Sequence, residues 1–343
     1  MRKLRNTLYI TQEDTFVHRE GETILISNDH EKILQMPVHN LEGIVFFTHT
    51  AVTPQVLELC SSAKVYISYI SHNSRFLVKI QNPVSGNIAL RRNQFRIAES
   101  ETQSLYMAKN FCIGKVFNSR VVLQRLLRDH KDIVDADIIE KVVMKLGQSM
   151  KSIARSASKQ ELLGIEGNSA KIYYSVFNEL ILNNDNDFVF NGRSRRPPLD
   201  EVNALLSFFY VLLSHEVEAA LESVGLDPQM GFYHQIRSGR SSLALDMMEE
   251  LRAYIVDRFV VTLINNEVVN KDDFFVKEGG AVLLKDTSRS KLLIQWQNRK
   301  KDIIMHPFIK EKIEIGLIPY AQSLLLARSI RGDLDEYPPF LMR

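Results

Sequence analysis

The sequence predicts an α+β protein: a small, β-sandwich-like N-terminal part with one short helix (residues 1–84), joined to a larger all-α part (85–343). Three observations support this division. Turn-bounded runs rich in β-branched and aromatic residues fill the first quarter, amphipathic stretches of helical period fill the rest, and Asn82-Pro83-Val84-Ser85-Gly86-Asn87 punctuates the chain between them as a linker would. Thr15–Arg19 and Glu22–Ser27 flank a Glu20-Gly21 turn, and Lys64–Ser71 and Arg75–Gln81 flank His72-Asn73-Ser74. Both pairs read as hairpins. Thr53 is placed to cap the one early helix, with Pro54 at its first position. Helices are expected over 101–130, 133–156, 158–182, 200–223, 242–264 and 311–331. A short hairpin around Glu278-Gly279-Gly280 is the one β interruption expected among them.

With 343 residues, 45% apolar and 24% charged, the chain has the proportions of a soluble globular protein of about two domains. Its two cysteines, Cys60 and Cys112, are too far apart for a thiolate zinc motif and suit a reducing compartment. No apolar run reaches the 18 residues or so of a bilayer span, and MRKLRNTLYI lacks the apolar stretch of a secretory signal, so a cytoplasmic location is expected. Charge is uneven. Residues 1–85 are neutral, whereas 91–131 carry nine Lys/Arg against three Asp/Glu. Such a cluster either attracts phosphate backbones or is a solvated helix face paired with acids elsewhere.

Phosphate-binding loops, nucleophile elbows and HExxH are absent, which leaves polar sites in or beside helical context. In Gly164-Ile165-Glu166-Gly167 a carboxylate sits between two glycines inside a helical pattern. Each glycine costs up to about 1 kcal/mol there, so either a close approach by a backbone or ligand, or a helix crossing with Glu166 at its edge, is implied. In Gly231–Asp246 a glycine-bounded loop carries His234, Arg237 and Arg240 and runs into a helix that Ser241 or Ser242 is placed to cap. On that helix Asp246, Glu249 and Glu250 fall at i, i+3 and i+4 and share one side. Crowded carboxylates need a counter-charge. Arg252 and Arg237 are one source, and a divalent ion is the other. Carboxylates with an imidazole and no thiolate suit Mg²⁺ or Mn²⁺ better than structural zinc. The other eight histidines read as structural or exposed. Arg193, Arg195 and Arg196 lie in a Gly192–Pro198 loop that is either a DNA contact or a basic connector. Arg299-Lys300-Lys301 has the same two readings.

The GxEG element at 164–167, followed by GFYHxxRxGRxSLALDxMEExR over 231–252, resembles the signature of the CRISPR-associated integrase family, the endonucleases that capture spacers in bacterial and archaeal immunity. Motif order, chain length and the β-then-helical layout also match. Glu336–Arg343 looks like the ending of the type I-C branch. The resemblance implies that Glu166, His234 and Glu249 bind one divalent metal and that Asp246 is a further acid needed for activity. It implies a homodimer that assembles with a small ferredoxin-like partner protein on double-stranded DNA, the protospacer and the CRISPR repeat. The implied reaction is 3′-hydroxyl transesterification. Tyr233 stands where many members carry leucine, a departure expected not to disturb the metal. The competing readings are a metal-dependent nuclease that only hydrolyses nucleic acid, and a non-enzymatic helical DNA-binding protein.

Overall fold

The computed structural model describes residues 3–28, 31–71, 76–80, 87–183 and 188–342. The expected linker at 82–87 and the His72–Ser74 turn fall largely outside them. In chain order, the first part contains β1 (Asn6–Ile10), β2 (Phe16–Glu20), β3 (Thr23–Asn28), β4 (Glu31–Pro37), β5 (Leu41–Phe46), β6 (Ala51–Val52), α1 (Pro54–Ala63), β7 (Tyr66–Ile70) and β8 (Phe76–Ile80). Then come α2 (Ile88–Glu99), α3 (Glu101–His130), α4 (Ala136–Arg155), α5 (Lys159–Tyr174), α6 (Glu201–Ser223), α7 (Ser242–Leu251), a π-helical turn (Arg252–Asp257) and α8 (Arg258–Asn265). The chain ends with β9 (Phe274–Val276), β10 (Val282–Leu284), α9 (Asp286–Lys300), β11 (Ile303–Met305), β12 (Lys312–Glu314) and α10 (Ile318–Arg331).

Two compact units result: residues 1–85 with 284–302, and residues 86–283 with 303–343. The first holds two four-stranded sheets, ordered β1-β5-β7-β8 and β4-β3-β2-β6. Both hairpins expected from sequence are present, as β2/β3 and β7/β8. The parallel pairing of β1 with β5 and of β5 with β7 joins segments too distant for turn signals to reveal. Leu8, Ile44 and Phe46 from one sheet, Val17, Ile24 and Ile26 from the other, and Val56 and Leu59 from α1 form one apolar core. Segment 284–302, read from sequence as part of the helical region, belongs here instead. Ser290 and Thr11 hydroxyls hydrogen-bond at 2.8 Å, Gln297 Nε2 donates to Thr7 O at 2.9 Å, and Arg289 lies over the Phe47 ring.

The second unit is built around α3, which packs against α4, α5, α7 and the π turn. Polar caps start its helices: Ser100, Asp135, Ser158 and Asp200 accept from the backbone N–H three residues on. Helix α6 is long and apolar enough by composition to cross a membrane, but 61% of its most apolar 18-residue window is buried inside the fold, as in a core helix. The unit is not all-α. The hairpin expected near Gly279 is present as β9/β10, and a second, β11/β12, occupies part of what the helical period assigned to 311–331. The expected 242–264 helix is also interrupted, by the π turn.

Candidate metal centre

The loop before α7 wraps round one carboxylate. Asp246, fully buried, accepts from the backbone N–H of Phe232 (2.6 Å) and Tyr233 (2.9 Å) at Oδ2, and from His234 N–H (2.8 Å) at Oδ1. His234 Nδ1 lies 2.7 Å from the same Oδ1. Beside an ionised carboxylate Nδ1 carries the proton, so the Nε2 lone pair is left for a cation. Gly231 makes the wrap possible, because a Cβ there would stand 2.8 Å from Asp246 Oδ2 and from the Ser242 backbone. Neither Ser241 nor Ser242 caps α7 through its side chain. Ser242 Oγ donates to Gln235 O, the Ser242 N–H donates to Arg240 O, and the next two N–H groups of α7 go to Pro228 O.

Three residues on from Asp246, Glu249 is 4% exposed and lies with Oε1 3.9 Å from His234 Nε2. Arg252 holds that Oε1 at 3.0 Å. Lys115 of α3 brings its Nζ to 2.6 Å from Glu249 Oε2 and also contacts Glu166 of α5. Two carboxylates sharing one ammonium stand within about 6 Å of each other. Tyr233 OH donates to the remaining Glu166 oxygen at 3.2 Å. Lys115 reaches this point because its neighbour is a glycine: a Cβ on Gly114 would come within 2.6 Å of Glu250 Cβ, so α3 and α7 meet there nearly backbone to backbone.

Electrostatics follow from the geometry. Burial pushes the Glu249 carboxyl up, but Arg252, Lys115 and His234 together hold it down at about 2. Burial works against the charge on Lys115, yet Glu249 and Glu166 outweigh it and keep the ammonium above its ordinary range. Behind Arg252 the guanidinium rests on the Tyr210 ring, whose hydroxyl donates to Asp257 at 2.5 Å. Burial raises the Asp257 carboxyl to about 6.

The donor set fits a divalent ion. It pairs two largely buried carboxylates with an imidazole already oriented by Asp246, and each carboxylate turns an oxygen toward the same cationic point, Lys115 Nζ. Among the described residues no three His, Cys, Asp or Glu side chains form a ready-made ligand cluster. The Lys115 ammonium lies between the two glutamates.

The sequence profile described as CRISPR associated protein Cas1 matches residues 8–298. The CRISPR-associated endonuclease Cas1 1 of Chlorobaculum tepidum is 46% identical over 343 residues, covering all of both chains. This chain belongs to the Cas1 family. Its fold is shared with a casposase bound to integration product (TM-score 0.84, 23% identity, 98% of this chain and 93% of that one). It is also shared with part of a Cas6-RT-Cas1–Cas2 complex (TM-score 0.81, 19% identity, 99% of this chain and 36% of that one).

For this Cas1-family chain, the motif residues Glu166, His234, Asp246 and Glu249 all meet at one place, whereas Glu250 does not join them. Its carboxylate accepts from Gln322, Tyr337 and the Phe340 N–H on the far side of α7. The glycines at 164 and 167 border open space rather than a helix crossing, since a Cβ at either would meet nothing within 4 Å. Tyr233, read as neutral toward the site, touches it through its hydroxyl. Arg237 is exposed and Arg240 half-buried beside the His234 loop, and Arg195 and Arg196 are exposed. Arg193 turns inward, donating to Asn203 Oδ1 (2.6 Å) and Ser207 Oγ (3.1 Å) with its guanidinium over Tyr210.

The basic segment 91–131 divides. Lys115 is in the site, Arg125 and Arg128 pair with Asp129, Lys131 pairs with Glu140, and Lys109 and Arg120 bond backbone carbonyls. Arg92 and Arg96 stay exposed. In Arg299-Lys300-Lys301, Arg299 pairs with Asp302 and Lys300 is buried. Lys115 was not foreseeable as a site residue, for it lies 51 positions before Glu166 and carries no spacing signal.

Proposed function

We propose that the chain is a divalent-metal-dependent DNA endonuclease and integrase that inserts captured DNA into a CRISPR array as new spacers. The observation that carries this reading is the meeting of Glu166, His234 and Glu249 from three separate elements, with Asp246 committed to holding the imidazole. Names borne by relatives support it: one is an endonuclease, and a structural neighbour is bound to integration product. Glu166, Glu249 and His234 Nε2 would hold Mg²⁺ or Mn²⁺. Such an ion supplies positive charge to the attacking and leaving oxygens of a phosphodiester exchange.

The chain's own residues do the rest. Asp246 keeps the proton on His234 Nδ1 and so fixes which nitrogen faces the site. Arg252 and Tyr233 hold Glu249 and Glu166 in place. Arg237 and Arg240, flanking the loop, are placed to contact DNA phosphates, bidentately where the fork matches. Arg195 and Arg196 extend that contact. In the reaction a 3′-hydroxyl loses its proton as its oxygen bonds to phosphorus at the repeat's 5′ edge, and the 3′-oxygen of the flanking nucleotide leaves and takes up a proton. One phosphodiester replaces another, so no energy source is needed.

The same reading includes assembly. The exposed Phe76, Leu77, Val78 and Ile80 of edge strand β8 support a homodimer formed through the β-rich unit. A neighbour complexed with Cas2 supports a small ferredoxin-like CRISPR adaptation partner. The Glu336–Arg343 ending supports the type I-C branch, and the paucity of cysteine supports a cytoplasmic setting.

The deciding experiment offers a short end-labelled duplex and a repeat-bearing plasmid to the protein with Mn²⁺, with and without the small partner. The expected product is label joined to plasmid at the repeat edge, abolished in Glu166→Gln and Glu249→Gln. Plasmid cleavage without joined label would favour the purely hydrolytic nuclease, and DNA binding without either product the non-enzymatic protein.

A further inference from the structure

We propose that Lys115 is a resident counter-cation of the metal centre: its ammonium holds Glu166 and Glu249 together in the metal-free protein and is displaced when a divalent ion binds between them. The inference rests on the metal-centre reading above.

Two glutamates buried to this degree repel each other unless a cation offsets them. Arg252 serves only one of them, at Glu249 Oε1, and it is fixed there by its stacking on Tyr210. Among the described residues Lys115 alone touches both carboxylates, so it supplies in the metal-free protein the neutralisation a divalent ion would supply.

The same contacts make it the group that must leave. Its ammonium lies between the two glutamates, and two cations within a few ångströms of each other repel strongly at a buried site. Its hold is that of a compact point charge shared between two carboxylates. A lysine carries its charge on a flexible four-carbon stem, in contrast to the planar fork of Arg252, and the Lys115 side chain keeps 14% of its exposure. The backbone need not move. Gly114 seats α3 against α7 independently of where the Lys115 ammonium points.

The consequence is a metal affinity lower than the ligand set alone would give, since each binding event must first break two ion pairs. It also means that loading exchanges one positive charge for two at this place, which favours approach of a phosphodiester only once the ion is in.

Calorimetric titration with Mn²⁺ tests the inference. Lys115→Met is expected to bind on the order of tenfold more tightly or better than the wild type. In chelator its melting temperature is expected to fall, and Mn²⁺ should restore it by a larger shift than the wild type shows. Unchanged or weaker Mn²⁺ binding in Lys115→Met would overturn the proposal. A measurement on the wild-type protein removes any dependence on the variant's folding: acylation of lysine amines, read residue by residue by mass spectrometry. Labelling at Lys115 should rise with Mn²⁺ while exposed lysines such as Lys151 do not change, and Lys115 labelling indifferent to saturating Mn²⁺ overturns the proposal. Glu166→Gln and Glu249→Gln are titrated alongside. If both bind Mn²⁺ as the wild type does, the metal-centre reading itself falls and takes this inference with it.

Discussion

Asp246 and Glu249 sit one helical turn apart on α7 yet have different work to do. All the oxygen capacity of Asp246 is spent on three backbone N–H groups and the His234 ring, whereas Glu249 is held by cations. Glu249→Ala is therefore expected to lose metal affinity and activity together. Asp246→Ala should lower Mn²⁺ affinity by a smaller factor, about 10–100-fold, and destabilise the fold by about 1–3 kcal/mol for each stranded N–H. Calorimetric titration of the two variants checks this, and intact binding in Glu249→Ala with none in Asp246→Ala would reverse the assignment. Tyr233→Phe removes one hydrogen bond to Glu166, worth about 1 kcal/mol, so Mn²⁺ affinity should drop by up to about tenfold and the melting temperature by no more than about 2–4 °C. At this scale the acids and His234 were legible because each has a telling neighbourhood: flanking glycines, or a helix face shared at i and i+3. Lys115 and Tyr233 were not, since a lysine on a long basic helix reads as a surface cation and a tyrosine beside a histidine reads as packing.

Helix α7 is gripped from both sides. On one, the site side chains engage Asp246 and Glu249. On the other, Glu250 accepts from Tyr337 (2.5 Å), Gln322 (2.9 Å) and Phe340 N–H (3.0 Å), while Asn118 of α3 donates to the Glu250 and Phe340 carbonyls. The terminal segment thus docks on the helix that bears the site, and its own motif had suggested only a subfamily. Burial raises the Glu250 carboxyl to about 7, although these hydrogen bonds pull it down. A carboxyl raised above its unfolded value is more protonated in the folded state, so its contribution is fully present below about pH 4.5 and lost as pH rises through about 7. Melting temperatures followed between pH 5 and 8 should fall with pH, and Glu250→Gln should flatten that dependence. A slope identical in the variant would show that other groups, Asp257 among them, carry it. Most helices announced themselves by period and hairpins by turn residues, but α2 and α9 lie outside every span the period marked. Hairpin β11/β12 did not announce itself, for three-residue strands leave no alternation to read, and the π turn within 242–264 preserves an apolar pattern that a straight helix would show equally well.

Across the whole molecule, sequence order hides which segments fold together. Helix α9 is polar and follows 200 residues of mostly helical chain, yet its partners Thr7, Thr11 and Phe47 lie near the N-terminus. Charge counting has a similar limit, because much of the basic excess in 91–131 is committed to Asp129, Glu140, backbone carbonyls and Glu249 of the candidate site. Arg195 and Arg196 remain exposed, whereas Arg193 anchors its loop. Replacing Arg195 and Arg196 by Ala should therefore weaken binding to unrelated duplexes about equally and lower the salt slope by about one for each DNA phosphate that is no longer neutralised. An unchanged slope in filter-binding titrations would make the loop a connector only.

The proposed function turns on one divalent ion shared by Glu166, His234 and Glu249. Anomalous scattering from crystals of the Mn²⁺-loaded protein tests that sharing most directly. The predicted result is a single manganese peak with one oxygen of Glu166, one of Glu249 and Nε2 of His234 at about 2.0–2.6 Å, Asp246 still on Nδ1, and the Lys115 ammonium withdrawn. A peak bound by Asp246 in place of Glu249, or no peak at saturating Mn²⁺ with Lys115 still bridging the two glutamates, would contradict it.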